Sequence, residues 1–431
     1  MKNLSRRNFL RLGGLTALGA ASAYSPLSNL MVARAQSEIT LQTWGSFITT
    51  NNALLEGALA TWAATNDASV NINFTGFDAL ADTLATAAAT GAGPDAIMML
   101  HARPHQFSEA LVDVSDIVNE IGDANSGWFG VAEEACMVDG VWRSVPFFVA
   151  AHAMVYREDL FAEVGFDAFP ETYDDLLVAG TALKEMGMPL GFSLGRADGD
   201  GNNFVFSVLW SFGGAVTDAD DNIVLDSPET RMALEYVQQL YNDAMDPNVA
   251  TWDDGANNRA YLAGEVSCTN NASSILWAGR RDGVEFIEGT NHALYPAGPA
   301  GRQQFGQVHS LGILNSSENV DAAKDMLSFI NSDTVWQLLG ADGFAFLYPL
   351  FRSLEDDPNM AWNAEPKLGA FKGLAEDVHT HGWPGSPSAA ASQVASDFVL
   401  SDMFGSVAVG AASIDEAIET AVEQIEDIYS A

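Results

Sequence analysis

Apolar and polar residues alternate along the first part of the chain in a way that predicts strands and helices in turn. Residues 38–44 alternate like a half-buried strand, and apolar residues then recur at helical spacing as far as Trp62. A second strand (70–74), an Ala-rich helix (78–90) and an apolar strand (96–100) follow. This β-α-β-α-β order predicts a mainly parallel sheet with helices on both faces, at whose strand carboxyl ends ligands bind.

Several later helices are predicted from the residues at their first turns. Thr172 is an expected N-cap, and Ser227 followed by Pro228 is the start of another helix. Ser413 and Glu416 form a capping box for a C-terminal helix. The helix that begins at Pro228 is expected to bury Met232, Tyr236, Val237 and Leu240.

The N-terminal residues have the three parts of an export signal. Arg6 and Arg7 precede a mild apolar run, which ends in an Ala33-Arg34-Ala35 cleavage site. Pro26 and its polar neighbours interrupt the run, so it is too short to span a bilayer. We therefore expect residues 1–35 to be a cleaved twin-arginine signal peptide and the mature protein to be free in the periplasm.

Charge restricts the classes of partner. The 431 residues carry a formal net charge of -38, and 48% of them are hydrophobic. A chain of this length allows two or three compact units with ordinary cores. Nucleic acid and anionic lipid would be repelled. Because salt screens repulsion between acidic side chains, we expect the melting temperature to rise with KCl concentration.

Cysteine and histidine usage gives no support for a metal site or a cofactor. Cys136 and Cys268 lack CxxC spacing, and we expect small buried hydrophobes, with one disulfide between them left open. The seven histidines include no HExxH motif. The acidic run at residues 218–222 has Ile223 where a calcium loop needs glycine, so a hairpin turn is favoured.

One motif suggests an enzyme. Residues 191–195 match the GxSxG elbow of serine hydrolases, with Ser193 as the nucleophile. The helix that should follow the elbow is replaced by a Gly- and Asp-rich loop, residues 196–201. An exported serine hydrolase is therefore the less favoured alternative, and we predict that the protein is not an enzyme.

Several blocks in a fixed order resemble the family 1 extracellular solute-binding proteins of ABC importers, the group that includes the maltose-binding proteins. The most diagnostic run extends from Val145 to Leu177 and contains VPFF, MVYREDLF and PETYDDLL. Further blocks are GPDAI (93–97), YLAGEV (261–266), YPAGPAG (295–301) and LGI (311–313). The resemblance implies an α/β fold of the two-lobed periplasmic-binding-protein type (type II), with hinge-linked lobes and a ligand cleft between them.

The resemblance also implies how the chain is divided and what it does. Lobe 1 is expected to contain residues 36–148 plus about 311–335, and lobe 2 about 152–307 plus 340–431. Such a protein is a monomer that captures a sugar or oligosaccharide by hinge closure and delivers it to the membrane subunits of an ABC permease. Since the two cysteines fall in different lobes, two free thiols are predicted.

The resemblance further implies ligand-binding residues in the loops that border the cleft. Those residues are Trp44, Ser46, His101, Arg103, Asn202, Asn203, Phe204, Asn271, Ser273, Ser274, His309, Ser310 and Trp383. Among them Trp44 is the first choice for an aromatic platform under a sugar ring. Trp210 suits the core as well as it suits such a platform.

The chemical class of the solute stays open in the sequence. Ala102 and Ala150 stand near the places where maltose-type proteins carry acidic sugar-binding residues, which argues against maltose itself. Arg103 would suit the carboxylate or phosphate of a sugar acid or a glycerol-phosphate type ligand, and a polyol is a further alternative. A polyamine receptor would need several carboxylates and aromatic side chains that converge on the cleft.

Overall fold

The computed structural model describes residues 37–150, 152–342 and 345–431, so the predicted signal peptide lies outside the described residues. The strands are β1 (Ser37–Trp44), β2 (Ala68–Thr75), β3 (Ala96–Leu100), β4 (Met137–Val138), β5 (Val141–Trp142), β6 (Val145–Ala150), β7 (Ala153–Arg157), β8 (Cys268–Asn271), β9 (Thr290–Ala293), β10 (Gln304–Phe305), β11 (Gln307–Ile313), β12 (Leu347–Pro349) and β13 (Val378–His379).

Helices separate most of these strands. The α-helices are α1 (Thr49–Thr65), α2 (Phe77–Thr90), α3 (Arg103–Gln106), α4 (Ser115–Ala124), α5 (Gly130–Cys136), α6 (Glu158–Glu163), α7 (Tyr173–Glu185), α8 (Asp200–Ser211), α9 (Pro228–Asp243), α10 (Ala256–Leu262), α11 (Ser274–Asp282), α12 (Val320–Ile330), α13 (Asp333–Asp342), α14 (Ala361–Ala364), α15 (Ala389–Ser396), α16 (Val399–Ala408) and α17 (Ile414–Ser430). Short 3-10 helices occur at Ser108–Ala110, Pro247–Thr251, Ile287–Gly289, Arg352–Leu354, Pro366–Phe371 and Leu374–Glu376.

The larger sheet has six strands in the order β12-β6-β11-β3-β1-β2. β1 pairs in parallel with both β2 and β3, which confirms the β-α-β-α-β prediction for the first hundred residues. β11 is antiparallel to β3 and β6, and β12 is antiparallel to β6. The sheet as a whole is therefore mixed and the prediction of a mainly parallel sheet was wrong, because these strands join from distant parts of the chain and not through helical crossovers.

A smaller sheet has three antiparallel strands in the order β8-β7-β9. Alternate residues of β7 face two different hydrophobic cores. Ala153 and Val155 pack in the core of the six-stranded sheet, whereas Met154 and Tyr156 pack in a second core with the C-terminal helices. This strand therefore lies between the two halves of the molecule.

The segment after residue 340 is shared between the two cores. Residues from Phe346 to Val378 pack in the first core, and Leu347–Pro349 pairs with β6 of the six-stranded sheet. Trp383 packs against the second core, and the residues of this segment within that core begin at Val394. The first core also contains residues from Ala260 to Ile287, and the expected division, with 340–431 in lobe 2, stays a prediction.

The predicted helix starts are present. The side chains of Thr172, Ser227 and Ser413 accept hydrogen bonds from backbone N–H groups three residues ahead, and Ser413 forms the complete capping box with Glu416. Met232 is a correction, because it is 41% exposed while Tyr236, Val237 and Leu240 are buried as expected. It lies beside the buried stripe of α9 and not within it.

Both cysteines are free and fully buried, one in each core. Burial raises the pKa of Cys136 to about 12 and raises that of Cys268 well above its ordinary value. Their separation confirms the prediction of two free thiols. Among the described helices none is long and apolar enough to cross a membrane.

Candidate functional site

A cavity of about 20 Å³ lies where loops of the six-stranded sheet meet loops of the other half. Its lining residues are Phe47, Phe77, His152, Gly199, Asp200, Asp254, Asn271, Ala272, Gln307, His309 and Phe346. Such a volume holds about one water molecule. A sugar-sized molecule therefore needs the two walls to separate before it can enter.

The first wall is aromatic. Trp44, the last residue of β1, stacks between Phe77 and Phe346, with ring centroids 5.0 and 5.4 Å apart, and it meets Phe47 edge-on at 5.3 Å. Trp44 is only 6% exposed, whereas Phe47 is 42% exposed. Trp44 thus supports the wall from behind, and Phe47 presents a ring at its mouth.

His309 of β11 completes the aromatic wall. Its ring stacks on Phe148 with centroids 4.2 Å apart and is fully buried. Neither ring nitrogen has a hydrogen-bond partner among the described residues. Burial holds the pKa of His309 well below its ordinary value, so the ring is neutral and can donate or accept a hydrogen bond.

The opposite wall carries two carboxylates. Asp200 begins α8, and its two oxygens lie 2.9 Å from His152 Nε2 and 2.9 Å from Asn257 Nδ2. Oδ1 of Asp254 accepts hydrogen bonds from the backbone N–H groups of Gly199 and Asp200 at 3.0 and 2.9 Å. A side chain at position 199 would come within 3.0 Å of Asp254 Oδ1, so glycine permits this close approach.

The two carboxylates influence each other. Burial, together with the negative charge of Asp200, raises the pKa of Asp254 to about 8, although the two backbone N–H groups oppose the shift. Asp254 therefore holds a proton at neutral pH in this closed arrangement. Removing that proton leaves an uncompensated negative charge in the wall of the cavity.

A buried ion pair lies near the cavity but outside its lining. Arg103 in α3 donates to the carboxylate of Asp198 at 2.9 Å, and His101 Nε2 lies 3.6 Å from the same carboxylate. Burial alone would raise the pKa of Asp198, but the charge of Arg103 and the His101 interaction hold it far below its ordinary value. The guanidinium of Arg103 is therefore committed to a protein carboxylate.

The amides expected at the start of a helix are placed inside the protein. Asn202 donates to the carbonyl of Ala395, and Asn203 donates to that of Phe305. Phe204 stacks on Phe192 with centroids 4.8 Å apart. All three expected site residues are fully buried away from the cavity. In this arrangement Asp200, at the start of the same helix, is the residue that lines the cavity.

Among the remaining expected residues, some lie at the cavity and others lie away from it. Asn271 lines the cavity beside Ala272, and Ser274 Oγ donates to Asn271 Oδ1 at 2.9 Å. Ser46 Oγ accepts from Ile48 N–H, and Trp383 stacks on His379 at 4.4 Å. The other residues, which are all buried and do not line the cavity, are Ser273, Ser310 and Trp210.

Several cavity residues were missed by the sequence analysis. Phe47 and Asp200 adjoin predicted residues, so a wider search of the same loops would have found them. Asp254 and Phe346 reach the cavity from segments for which no local pattern indicates a binding role.

The profile of the bacterial extracellular solute-binding proteins matches residues 48–335, more than half of the chain. The protein belongs to this family. Within the family, a binding protein of Brucella abortus (strain 2308) is 24% identical over 197 residues, 45% of this chain and 47% of that protein. A probable ABC transporter-binding protein of Deinococcus radiodurans is 25% identical over 172 residues, 38% of this chain and 41% of that protein. The matched regions thus span less than half of these curated relatives.

Solved structures share the fold of this solute-binding protein along most of its length. The maltose-bound Thermotoga maritima MalE3 has a TM-score of 0.79 at 22% identity, covering 91% of this chain and 100% of that one. A sugar transporter protein of Arthrobacter chlorophenolicus A6 with bound laminaribiose has a TM-score of 0.78 at 17% identity, covering 91% of this chain and 99% of that one. An Agrobacterium radiobacter K84 protein in complex with ribitol has a TM-score of 0.74 at 18% identity, covering 91% of this chain and 98% of that one. The fold is therefore the two-lobed periplasmic binding protein fold.

Family membership agrees with the surroundings of Ser193. Its hydroxyl is fully buried and donates to the carbonyl oxygen of Trp252 at 3.2 Å. The following residues form turns before α8 begins at Asp200, so the strand-turn-helix elbow of a hydrolase is not formed here. Proteins of this family bind solutes and are not enzymes.

Proposed function

We propose that this protein captures a sugar or polyol in the cavity and delivers it to the membrane subunits of an ABC permease. It acts as a monomer in the periplasm, after export by the twin-arginine route that Arg6 and Arg7 indicate. The observation that carries the proposal is the composition of the cavity, whose lining combines aromatic rings with the carboxylates of Asp200 and Asp254 and the amides of Asn271 and Gln307.

The chemistry of the two walls supports a hydroxylated ligand. Aromatic rings such as those of Phe47 and Phe77 stack on the apolar face of a sugar, while Asn271, Gln307 and the acids can bind hydroxyl groups. Maltose, laminaribiose and ribitol are the ligands named for proteins of the same fold.

Hinge closure supports the capture step. Since the closed cavity has a volume of only about 20 Å³, binding requires an open conformation, and contacts with both walls then favour closure. Removal of water strengthens the hydrogen bonds that hold the ligand. The permease would recognise the closed form.

A thermal-shift screen over monosaccharides, disaccharides and polyols tests the proposal directly. The ligand that stabilises the protein is then added during small-angle X-ray scattering, and the radius of gyration is expected to fall as the lobes close. A melting temperature that no sugar or polyol raises, or a captured sugar that is converted to another product, would contradict the proposed function.

A further inference from the structure

We propose that the solute held in this cavity carries a protonated amine on a hydroxylated skeleton, as an amino sugar or an amino polyol does. The inference rests on the proposed function, since it takes the cavity to be the solute site. It is carried by two neighbouring carboxylates that face aromatic rings across a closed space.

In the part of the chain that the structure describes, neither carboxylate forms an ion pair with a lysine or an arginine, and His152 is the one titratable group paired with Asp200. The oxygens of Asp200 are occupied by His152 and Asn257. Oδ2 of Asp254 receives no hydrogen bond from the part of the chain that the structure describes, while Oδ1 accepts two. Asp254 is half-buried, and a carboxylate partly removed from water is stabilised by taking up either a proton or a cation. The ammonium group of a solute would supply that cation.

The charged groups around Asp254 do not replace this cation. Those groups are Asp198 before α8 and Asp200 at its start, His152 beside Asp200, Arg103 and His101 beside Asp198, and Asp253 with Arg259. Arg103 is already paired with Asp198, and the Arg259–Asp253 pair is exposed. Negative charge therefore dominates beside Asp254.

The aromatic wall is an independent observation that favours the same ligand. Phe47, Phe77 and Phe346 line the cavity, and the face of an aromatic ring attracts a cation. His309 lines the cavity fully buried with both ring nitrogens unpartnered, and being neutral it does not repel an ammonium group. An ammonium N–H can donate to its free nitrogen.

This arrangement disfavours the anionic solutes that Arg103 suggested in the sequence. Its guanidinium is bound to Asp198 and lies outside the cavity lining. A sugar acid or sugar phosphate would instead face Asp200 and Asp254. The ionised carboxylate of Asp200 would repel the negative charge of such a solute in this water-poor space. Carboxylates and aromatic rings that converge on one site are what a polyamine receptor would need, and this cavity brings two carboxylates and several aromatic rings together.

Calorimetry with matched ligands tests the inference. The ligand series are glucosamine, glucose and glucuronate; glucamine, sorbitol and gluconate; and the disaccharides of glucosamine and of glucose. In at least one series the amine should bind tenfold or more tighter than its neutral and acidic counterparts. Titrations in buffers of different ionisation enthalpy should show release of a proton, because the amine replaces the proton of Asp254.

Two variants complete the test. Asp254→Asn should weaken amine binding by roughly 30-fold or more and abolish the proton release, since it removes one partner of a buried charge pair. Asp253→Asn is the matched control, because this neighbouring carboxylate is exposed and pairs with Arg259 outside the cavity. Its affinity for every ligand should stay unchanged.

The outcomes separate the inference from the proposed function. A neutral sugar or polyol that binds more tightly than its amine, or an amine preference that survives in Asp254→Asn, would overturn the inference and leave the proposed function intact. Failure of every member of all the series to bind would overturn both.

Discussion

Arg103 and Asp198 form a buried ion pair, with a guanidinium nitrogen 2.9 Å from a carboxylate oxygen and side chains 8% and 6% exposed. They are 95 positions apart in the chain and connect α3, which follows β3, with the loop before α8. The pair therefore joins the carboxyl end of β3 in the six-stranded sheet to the start of α8, where Asp200 of the acidic wall lies.

Removing Arg103 alone should destabilise the protein strongly. Arg103→Ala leaves Asp198 charged and buried, and we expect a loss of about 3 to 5 kcal/mol in the free energy of unfolding. Denaturant titration measures this loss. Arg196→Ala is the control, since its pair with Asp402 is 65% and 46% exposed and should cost only about 0 to 1 kcal/mol.

The double variant Arg103→Met with Asp198→Leu shows whether Arg103 has a structural or a binding role. It should recover most of the stability, because no buried charge remains, and it should keep its affinity for the solute. Normal stability in Arg103→Ala combined with lost binding would instead assign the arginine to the ligand.

Trp44 and Phe47 should differ in how they affect stability. Trp44→Ala removes a buried ring between Phe77 and Phe346 and should cost about 3 to 5 kcal/mol as well as affinity. Phe47→Ala should weaken solute binding with a stability change of about 0.5 kcal/mol or less, because the ring is 42% exposed. Denaturant titration and calorimetry measure the two effects.

Met186→Ala is the matched control for Phe47, since Met186 is 43% exposed and does not line the cavity. Met186→Ala should change neither the free energy of unfolding nor the affinity for the solute. Unaltered affinity in Phe47→Ala would remove this ring from the proposed binding wall.

The thiols should be unreactive in the folded protein. Cys136 and Cys268 are fully buried, and burial raises the pKa of both thiols, so the reactive thiolate is scarce at pH 8. A chromogenic disulfide reagent should detect no thiol in the native protein and two per chain after unfolding without reductant. Fewer than two in the unfolded chain would contradict the free-thiol assignment.

Local structure was predictable because it depends on neighbouring residues. The N-caps Thr172, Ser227 and Ser413 need only a donor three residues ahead, the first two strands show period-two patterns, and the third is a short apolar run. Strand direction in the rest of the sheet was not predictable. β11 and β12 join it after long excursions, and nothing in their short apolar runs fixes their direction.

The site was predictable only in part for the same reason. Trp44, expected after the first strand, and His309, expected beside a hinge, both lie in the aromatic wall. Arg103 was interpreted as a ligand residue because its partner Asp198 is remote in sequence. Asp254 could not be found, since its importance comes from Asp200 and Gly199, which the fold places against it.

The raised pKa of Asp254 makes a prediction about stability without any ligand. In the unfolded chain its carboxyl has an ordinary pKa near 4, whereas burial and Asp200 raise the folded value to about 8. Between these values the folded state binds more protons than the unfolded state. The contribution of the Asp254 carboxyl to the free energy of unfolding is therefore complete below pH 4 and is lost as the pH rises to about 8.

Asp254→Asn should remove this part of the pH dependence. The difference in unfolding free energy between variant and wild type should move in favour of the variant as the pH rises from 5 to 9, since only the wild type gains a buried charge. Denaturant titrations at several pH values measure it, and Asp253→Asn provides the control. The pKa of Asp253 is lowered in the folded protein, so that variant should show no such gain. Parallel curves for wild type and Asp254→Asn would mean that this carboxyl is ionised throughout.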